Sequence, residues 1–126
     1  MSGEELKILV VDDSKVMRHI ITSFLAKMGY DNVLQASNVS TALQILAEDK
    51  PSLVISDYSM PGLTGLDLLR KMRSDSETKN LVFVMITAEA QLFEIMSAFR
   101  GGVDYYVIKP FTRDYFEYVL QRAITE

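Results

Sequence analysis

Five polar residues stand at or next to the ends of apolar runs: Asp12 and Asp13 after LKILVV, Asp57 after LVIS, Thr87 after LVFVMI and Lys109 after YYVI. If the runs are strands of one sheet, the five residues meet at its carboxyl edge, where open α/β sheets bind ligands. Three carboxylates gathered there repel one another, and a cation relieves the repulsion. A hard divalent ion that keeps some waters and accepts phosphate oxygen suits so few carboxylates, which points to Mg²⁺. A carboxylate can also act as a nucleophile and form an aspartyl phosphate. Asp57 suits that role, with Lys109 and Thr87 holding the remaining phosphoryl oxygens. Ala88 is small and leaves room for a tetrahedral group.

Each of these residues also has a plainer explanation. Asp57 can start a turn. Asp13 or Ser14 can cap a helix, and Thr87 can cap another. Lys109 can run along apolar surface to solvent. Convergence carries the site; no single residue does.

The elements that must bring the residues together alternate along the chain. Leu6 to Val11 reads as a strand covered on both faces. Val16, Met17, Ile20, Ile21, Phe24, Leu25 and Met28 recur at helical spacing, and Gly29 stops the helix. Asn32 to Ala36 is a weaker strand. Asn38 caps a helix carrying Val39, Ala42, Leu43, Ile45 and Leu46, which ends before Pro51. Leu53 to Ser56 is the third strand, and the breakers Met60-Pro61-Gly62 and Gly65 form the loop after Asp57. Leu66, Leu69 and Met72 mark a third helix, and Leu81 to Ile86 a fourth strand. Leu92, Ile95, Met96 and Phe99 make a fourth helix stopped by Gly101-Gly102. Tyr105 to Ile108 is the fifth strand. Thr112 caps a last helix with Phe116, Val119, Leu120, Ala123 and Ile124 turned inward. Five β-α repeats predict an α/β fold: a parallel sheet covered on both sides. The polar ends are expected on the strands away from the sheet edges. Strand order cannot be read from the residues.

Composition narrows the function. At 126 residues the chain is the size of one domain, and 48% hydrophobic content fills a core. A net charge of −4 argues against wholesale nucleic-acid binding. No apolar run is long enough to cross a bilayer, and the acidic start MSGEELK is unlike a secretory signal. The absence of Cys excludes disulfides and fits a cytoplasmic setting. The only histidine, His19, falls between inward positions of the first helix and is expected at the surface.

The segments ILVVDDS, ISDYSMPGLTG, MITAE and YYVIKPF, in that order, resemble the receiver domain of bacterial two-component response regulators over essentially the whole chain. In single-domain form the chain looks like the regulators found in chemotaxis. The resemblance implies a doubly wound, flavodoxin-like (βα)5 fold with strand order 2-1-3-4-5 and one receiver domain over residues 1–126. It implies that Asp57 is phosphorylated by a histidine kinase or phosphotransfer protein. Asp13 would ligate Mg²⁺ directly, Asp12 largely through water, and Asp57 and the Ser59 main-chain carbonyl would complete the protein ligands. Thr87 and Lys109 match the switch hydroxyl and the phosphate-binding lysine. Tyr106 matches an aromatic whose rotamer follows Thr87, and Lys109-Pro110 matches a peptide bond that is usually cis. Output would come from an altered surface of the fourth helix, fifth strand and fifth helix that binds a protein. The implied state is a monomer, with phosphorylation-dependent dimerisation open.

Ser59 and Glu89 occupy positions that tune loss of the phosphate. The small Ser59 is expected to leave water access open and the phosphoryl state short-lived. Gly101-Gly102 is expected to loosen the loop before the fifth strand. The alternatives are a phosphorelay intermediate or sink, a degenerate receiver that only binds, and a haloacid dehalogenase-like phosphohydrolase. The last carries its nucleophile after the first strand in a D-x-D-x-T pattern, where this chain has Asp12-Asp13-Ser14. With no further domain in the sequence, the expected role is a phosphoacceptor switch and not an enzyme acting on external substrates.

Overall fold

The computed structural model describes residues 6–125. Most of the acidic start lies outside the described residues. Ten elements alternate without exception: β1 (Ile8–Val11), α1 (Lys15–Lys27), β2 (Val33–Ala36), α2 (Val39–Asp49), β3 (Leu53–Ser56), α3 (Gly65–Arg73), β4 (Val82–Thr87), α4 (Leu92–Gly101), β5 (Tyr105–Ile108) and α5 (Arg113–Thr125). The strands are parallel and ordered β2-β1-β3-β4-β5, as the resemblance implied. The chain winds from β1 outward to β2, then returns and proceeds the other way from β3. The crevice between β1 and β3 is therefore the switch point where such sheets bind ligands.

Alternation within the strands builds two cores. Leu9, Val11, Val54, Phe83 and Met85 face α2, α3 and α4, where they meet Ala42, Leu46, Leu68, Leu69, Met72 and Ala98. Ile8, Val10, Ile55, Val84, Ile86 and Val107 face α1 and α5, where Ile21, Leu25, Phe116 and Leu120 close over them. Successive strand residues point to opposite faces, so a strand buried on both sides must be apolar throughout. That is why LKILVV and LVFVMI carry no polar alternation.

The helix ends follow local chemistry. Ser14 caps α1 by accepting from the Met17 N–H at 3.2 Å. Asn38 caps α2 by accepting from the Thr41 N–H at 2.8 Å. Thr64 and Asp67 form a reciprocal capping box on α3. Thr112 accepts from the Tyr115 N–H at 3.1 Å. Gly29 and Gly102 follow α1 and α4 at φ +93° and +99°, a conformation that favours glycine.

Several expectations need correction. β5 is an edge strand, yet it delivers Lys109, so the polar ends are not confined to interior strands. Val16 lies outside the inward stripe of α1, 70% exposed in its first turn. Helix α4 forms where expected, but Leu92, Met96 and Phe99 point outward and the residues it buries are Ser97 and Ala98. Small residues let α4 sit close to its neighbours. Gly101 serves the same end: a Cβ there would press on Leu69 and Leu66 of α3 at 3.2 and 3.3 Å. Gly102 carries the Arg73 guanidinium on its carbonyl at 2.9 and 3.1 Å. This glycine pair tightens the junction; it does not loosen it.

Candidate active site

The parallel register lifts the functional residues to one level. Val11 pairs with Ser56, so Asp12 and Asp57 leave adjacent strands side by side. Main-chain bonds extend the ladder past the strand ends: Asp57 N–H donates to Val11 at 2.9 Å, and Asp12 N–H to Ala36 at 3.1 Å. On the other side Lys109 N–H donates to Thr87 at 2.8 Å. The Lys109–Pro110 peptide is cis.

Asp12, Asp13 and Asp57 each offer an oxygen within 4.8 Å of the others. Asp12 and Asp57 are buried, at 1% and 8% exposure, and Asp13 is exposed. Lys109 Nζ reaches into the cluster, 3.0 Å from Asp12 Oδ2 and 3.3 Å from Asp57 Oδ2. One ammonium faces three carboxylates, so excess negative charge remains. The donors are all hard oxygens, and Asp13 opens to solvent. That set fits a divalent cation that retains waters.

Burial sets the electrostatics. Loss of solvent raises the Asp12 pKa above its ordinary value, outweighing the Ser14 N–H at 2.9 Å and Lys109. Burial likewise raises the Tyr106 phenol to about 12, helped by Tyr58 and Glu89. The Tyr58 phenol is raised by burial and by the nearby Glu94 carboxylate. Asp67 moves the other way, because the Thr64 N–H stabilises its carboxylate.

The residues expected to switch or tune are joined by hydrogen bonds. Thr87, 1% exposed, ends β4 and accepts from the Glu89 N–H at 3.2 Å, so it is not a helix cap. The cap position of α4 is Gln91, which makes no side-chain bond to the helix. Tyr106 is half-buried and donates its hydroxyl to the Glu89 carbonyl at 2.6 Å. Ser59 donates its N–H to Asp57 Oδ1 at 3.3 Å and its hydroxyl to Glu89 Oε1 at 3.1 Å. Ser59 is thus bonded to Glu89 across the mouth of the site. His19 is exposed, as its position in α1 suggested.

Other residues support the site and gave no signal of their own in the sequence. Arg18 donates to the Asp12 carbonyl at 2.7 Å. Ser56, fully buried, donates its hydroxyl to the Asp57 carbonyl at 2.8 Å. A Cβ on Gly65 would overlap the Asp57 carbonyl oxygen, so only glycine lets α3 begin so close. Gly65 marked a break in the sequence, but its contact needs the fold. A cleft of about 650 Å³ lined by Leu46, Pro51, Met72 and Leu81 lies away from all of these residues. Charge and geometry, not cavity size, identify the site.

Comparison with known proteins agrees with this geometry. The family profile described as "Response regulator receiver domain" matches residues 8–121. The chemotaxis protein CheY of Pseudomonas aeruginosa is 44% identical over 107 residues, covering 85% of this chain and 86% of that protein. The structure of the chemotaxis response regulator CheY4 of Vibrio cholerae superposes with a TM-score of 0.86 at 29% identity, covering 94% of this chain and 98% of that one. The receiver domain of the sensor histidine kinase PA1611 from P. aeruginosa gives a TM-score of 0.86 at 25% identity, covering 96% and 98%. That structure holds a magnesium ion coordinated in its active-site cleft. The matched span runs from the first strand into α5 and takes in both the acidic cluster and its lysine, so the chain belongs to the response regulator receiver domain family.

Proposed function

We propose that Asp57 is the phosphoacceptor of this receiver domain and that Mg²⁺ assists the transfer. The observation that carries the reading is Lys109 Nζ bonded to both Asp12 and Asp57 beside three converging carboxylates. A carboxylate oxygen of Asp57 attacks phosphorus in a phosphohistidine of a kinase or phosphotransfer protein. A P–O bond forms, the P–N bond breaks, and the departing imidazole takes the electron pair and then a proton. Asp12, Asp13, Asp57 and the Ser59 main-chain carbonyl would hold the cation, which offsets charge on the transferred group. Lys109 and the Thr87 hydroxyl would bind phosphoryl oxygens.

The outward face of α4, β5 and α5 supports a protein partner as output. Leu92 and Phe93 are each 71% exposed, and Phe99, Ile108, Tyr115 and Tyr118 extend the apolar surface. Patches of this kind mark interaction sites. Tyr106 lies between this face and the site, and its ring sits 6.4 Å from that of Phe99. Phosphorylation adds charge and strong acceptors, drawing Thr87 toward Asp57 and favouring the inward pose of Tyr106. Full conversion from 1:99 to 99:1 needs about 5.5 kcal/mol of differential stabilisation. Partial switching is the expected behaviour. We read residues 1–126 as one receiver unit, cytoplasmic and monomeric, that catalyses only its own phosphorylation and dephosphorylation. Chemotaxis is the favoured pathway because two of the relatives named above, both CheY proteins, are chemotaxis proteins.

Intact mass after incubation with acetyl phosphate and Mg²⁺ tests the acceptor. Wild type should gain one phosphoryl group and Asp57→Asn none; an unmodified wild type ends the reading. Thr87→Ala should still gain the group while losing phosphorylation-dependent capture of its partner. Normal signalling by that variant would refute the coupling through Thr87.

A further inference from the structure

Glu89 makes three hydrogen bonds that lead to three different parts of the site. Its N–H goes to the Thr87 hydroxyl, its carbonyl receives the Tyr106 hydroxyl, and its carboxylate receives the Ser59 hydroxyl. Ser59 in turn binds Asp57 Oδ1 through its N–H. Two carboxylates, Asp57 and Glu89, are therefore held on one intervening residue. They come from loops 30 positions apart along the chain at the Ser59–Glu89 bond. The strap completes a chain of contacts from Asp57 through Ser59 and Glu89 to Tyr106.

We propose that Glu89 is a positioning residue that couples the charge on Asp57 to the pose of Tyr106, with the Ser59–Glu89 bond as the strap that transmits it. The inference rests on Asp57 being the phosphoacceptor. A phosphoryl group brings about −1.5 to −2 of charge to a carboxylate whose neighbour on Ser59 is another carboxylate. Like charges so placed repel, and the residue pushed at its side chain is the one whose main chain bonds Tyr106 and Thr87. The strap therefore converts an electrostatic change into a backbone displacement. Without it, Glu89 keeps its main-chain bonds to Thr87 and Tyr106 but loses its link to the Asp57 carboxylate.

Fluorotyrosine labelling tests this, with the Tyr106 resonance assigned by its loss in Tyr106→Phe. Before any donor is added, Ser59→Ala should already move the Tyr106 resonance, and Ser59→Thr, which keeps the hydroxyl, should restore it. At matched phosphorylated fractions, measured by mass, Ser59→Ala should show less than half the wild-type response. Glu89→Gln keeps an acceptor for Ser59 and removes the charge, so its starting resonance should match wild type while its response shrinks. Wild-type resonances and responses in Ser59→Ala overturn the strap, as does failure of Ser59→Thr to rescue. A full response in Glu89→Gln overturns the electrostatic coupling. If wild type gains no phosphoryl mass, the phosphoacceptor reading fails, and the donor-free comparison of Ser59→Ala with Ser59→Thr still decides the strap.

Discussion

Lys109 controls the charge balance of the site. Its ammonium is the one cation bonded to the side-chain carboxylates of the buried pair Asp12 and Asp57 among the described residues. Lys109→Met removes it and leaves the carboxylates facing each other. Stripping a partner from buried charged groups costs about 1–3 kcal/mol, read as a lower urea midpoint in metal-free buffer. Asp12→Asn acts in the opposite sense. Burial raises the Asp12 pKa, so the native state holds that proton more tightly than the unfolded chain, whose value is near 3.8. The stability this provides is fully present below 3.8 and lost as pH rises through the higher folded value. At neutral pH without metal, Asp12→Asn should be more stable than wild type, because it removes the penalty of burying that charge. The stability advantage should vanish in strong acid. A destabilised Asp12→Asn at neutral pH would show that the carboxylate is fully compensated by Lys109.

In the proposed mechanism helix α4 and strand β5 carry the connection between site and surface, with Tyr106 as their reporter. Its phenol is held near 12 by burial, well above the ordinary 10. The native state therefore keeps the phenol neutral where the unfolded chain ionises. Stability is intact below pH 10, and falls as pH rises from 10 through about 12. Tyr106→Phe removes this dependence and should flatten the alkaline arm of a stability–pH curve over that window; an unchanged arm assigns the loss to other tyrosines. The opposite end of α4 is better anchored. The Arg73 guanidinium binds the Gly102 carbonyl and, at 2.7 Å, the Leu81 carbonyl, and pairs with Asp104 at 3.1 Å. Asp104 accepts from the Phe83 N–H at 2.8 Å, which ties the start of β5 to β4. The helix is pinned at its carboxyl end and starts at Gln91 without a side-chain cap. Motion that changes the output face should therefore be largest at residues 88–93.

Taken as a unit, the protein is a rigid doubly wound sheet with an under-neutralised acidic crevice at one end. Binding of a cation to the native state alone stabilises it by RT ln(1 + [L]/Kd). Thermal unfolding should therefore rise with Mg²⁺ and return to baseline with chelator, by about 2.7 kcal/mol when the ion is at 100 times its Kd. Asp13→Asn should remove most of the increment. A transition unmoved by Mg²⁺ would mean that Lys109 already satisfies the cluster. None of the residues that would hold the ion belongs to the two apolar layers on either side of the sheet.

Local pattern alone determined the element series, and its reasons are local. Covered strands such as β1 must be apolar throughout, caps such as Asn38 act within three residues, and breakers such as Gly29 act on their own backbone. Asp57 and Lys109 could be picked out on local grounds too: each directly follows a short run read as a strand. Tertiary packing decided what spacing along the chain does not encode. It put the edge strand β5 in the site and turned the apolar residues of α4 outward, since only Ser97 and Ala98 fit against the sheet. It gave Gly65 its contact with Asp57 and joined Ser59 to Glu89. Those relations depend on distances between residues far apart in the chain, and such distances exist only after the sheet has formed.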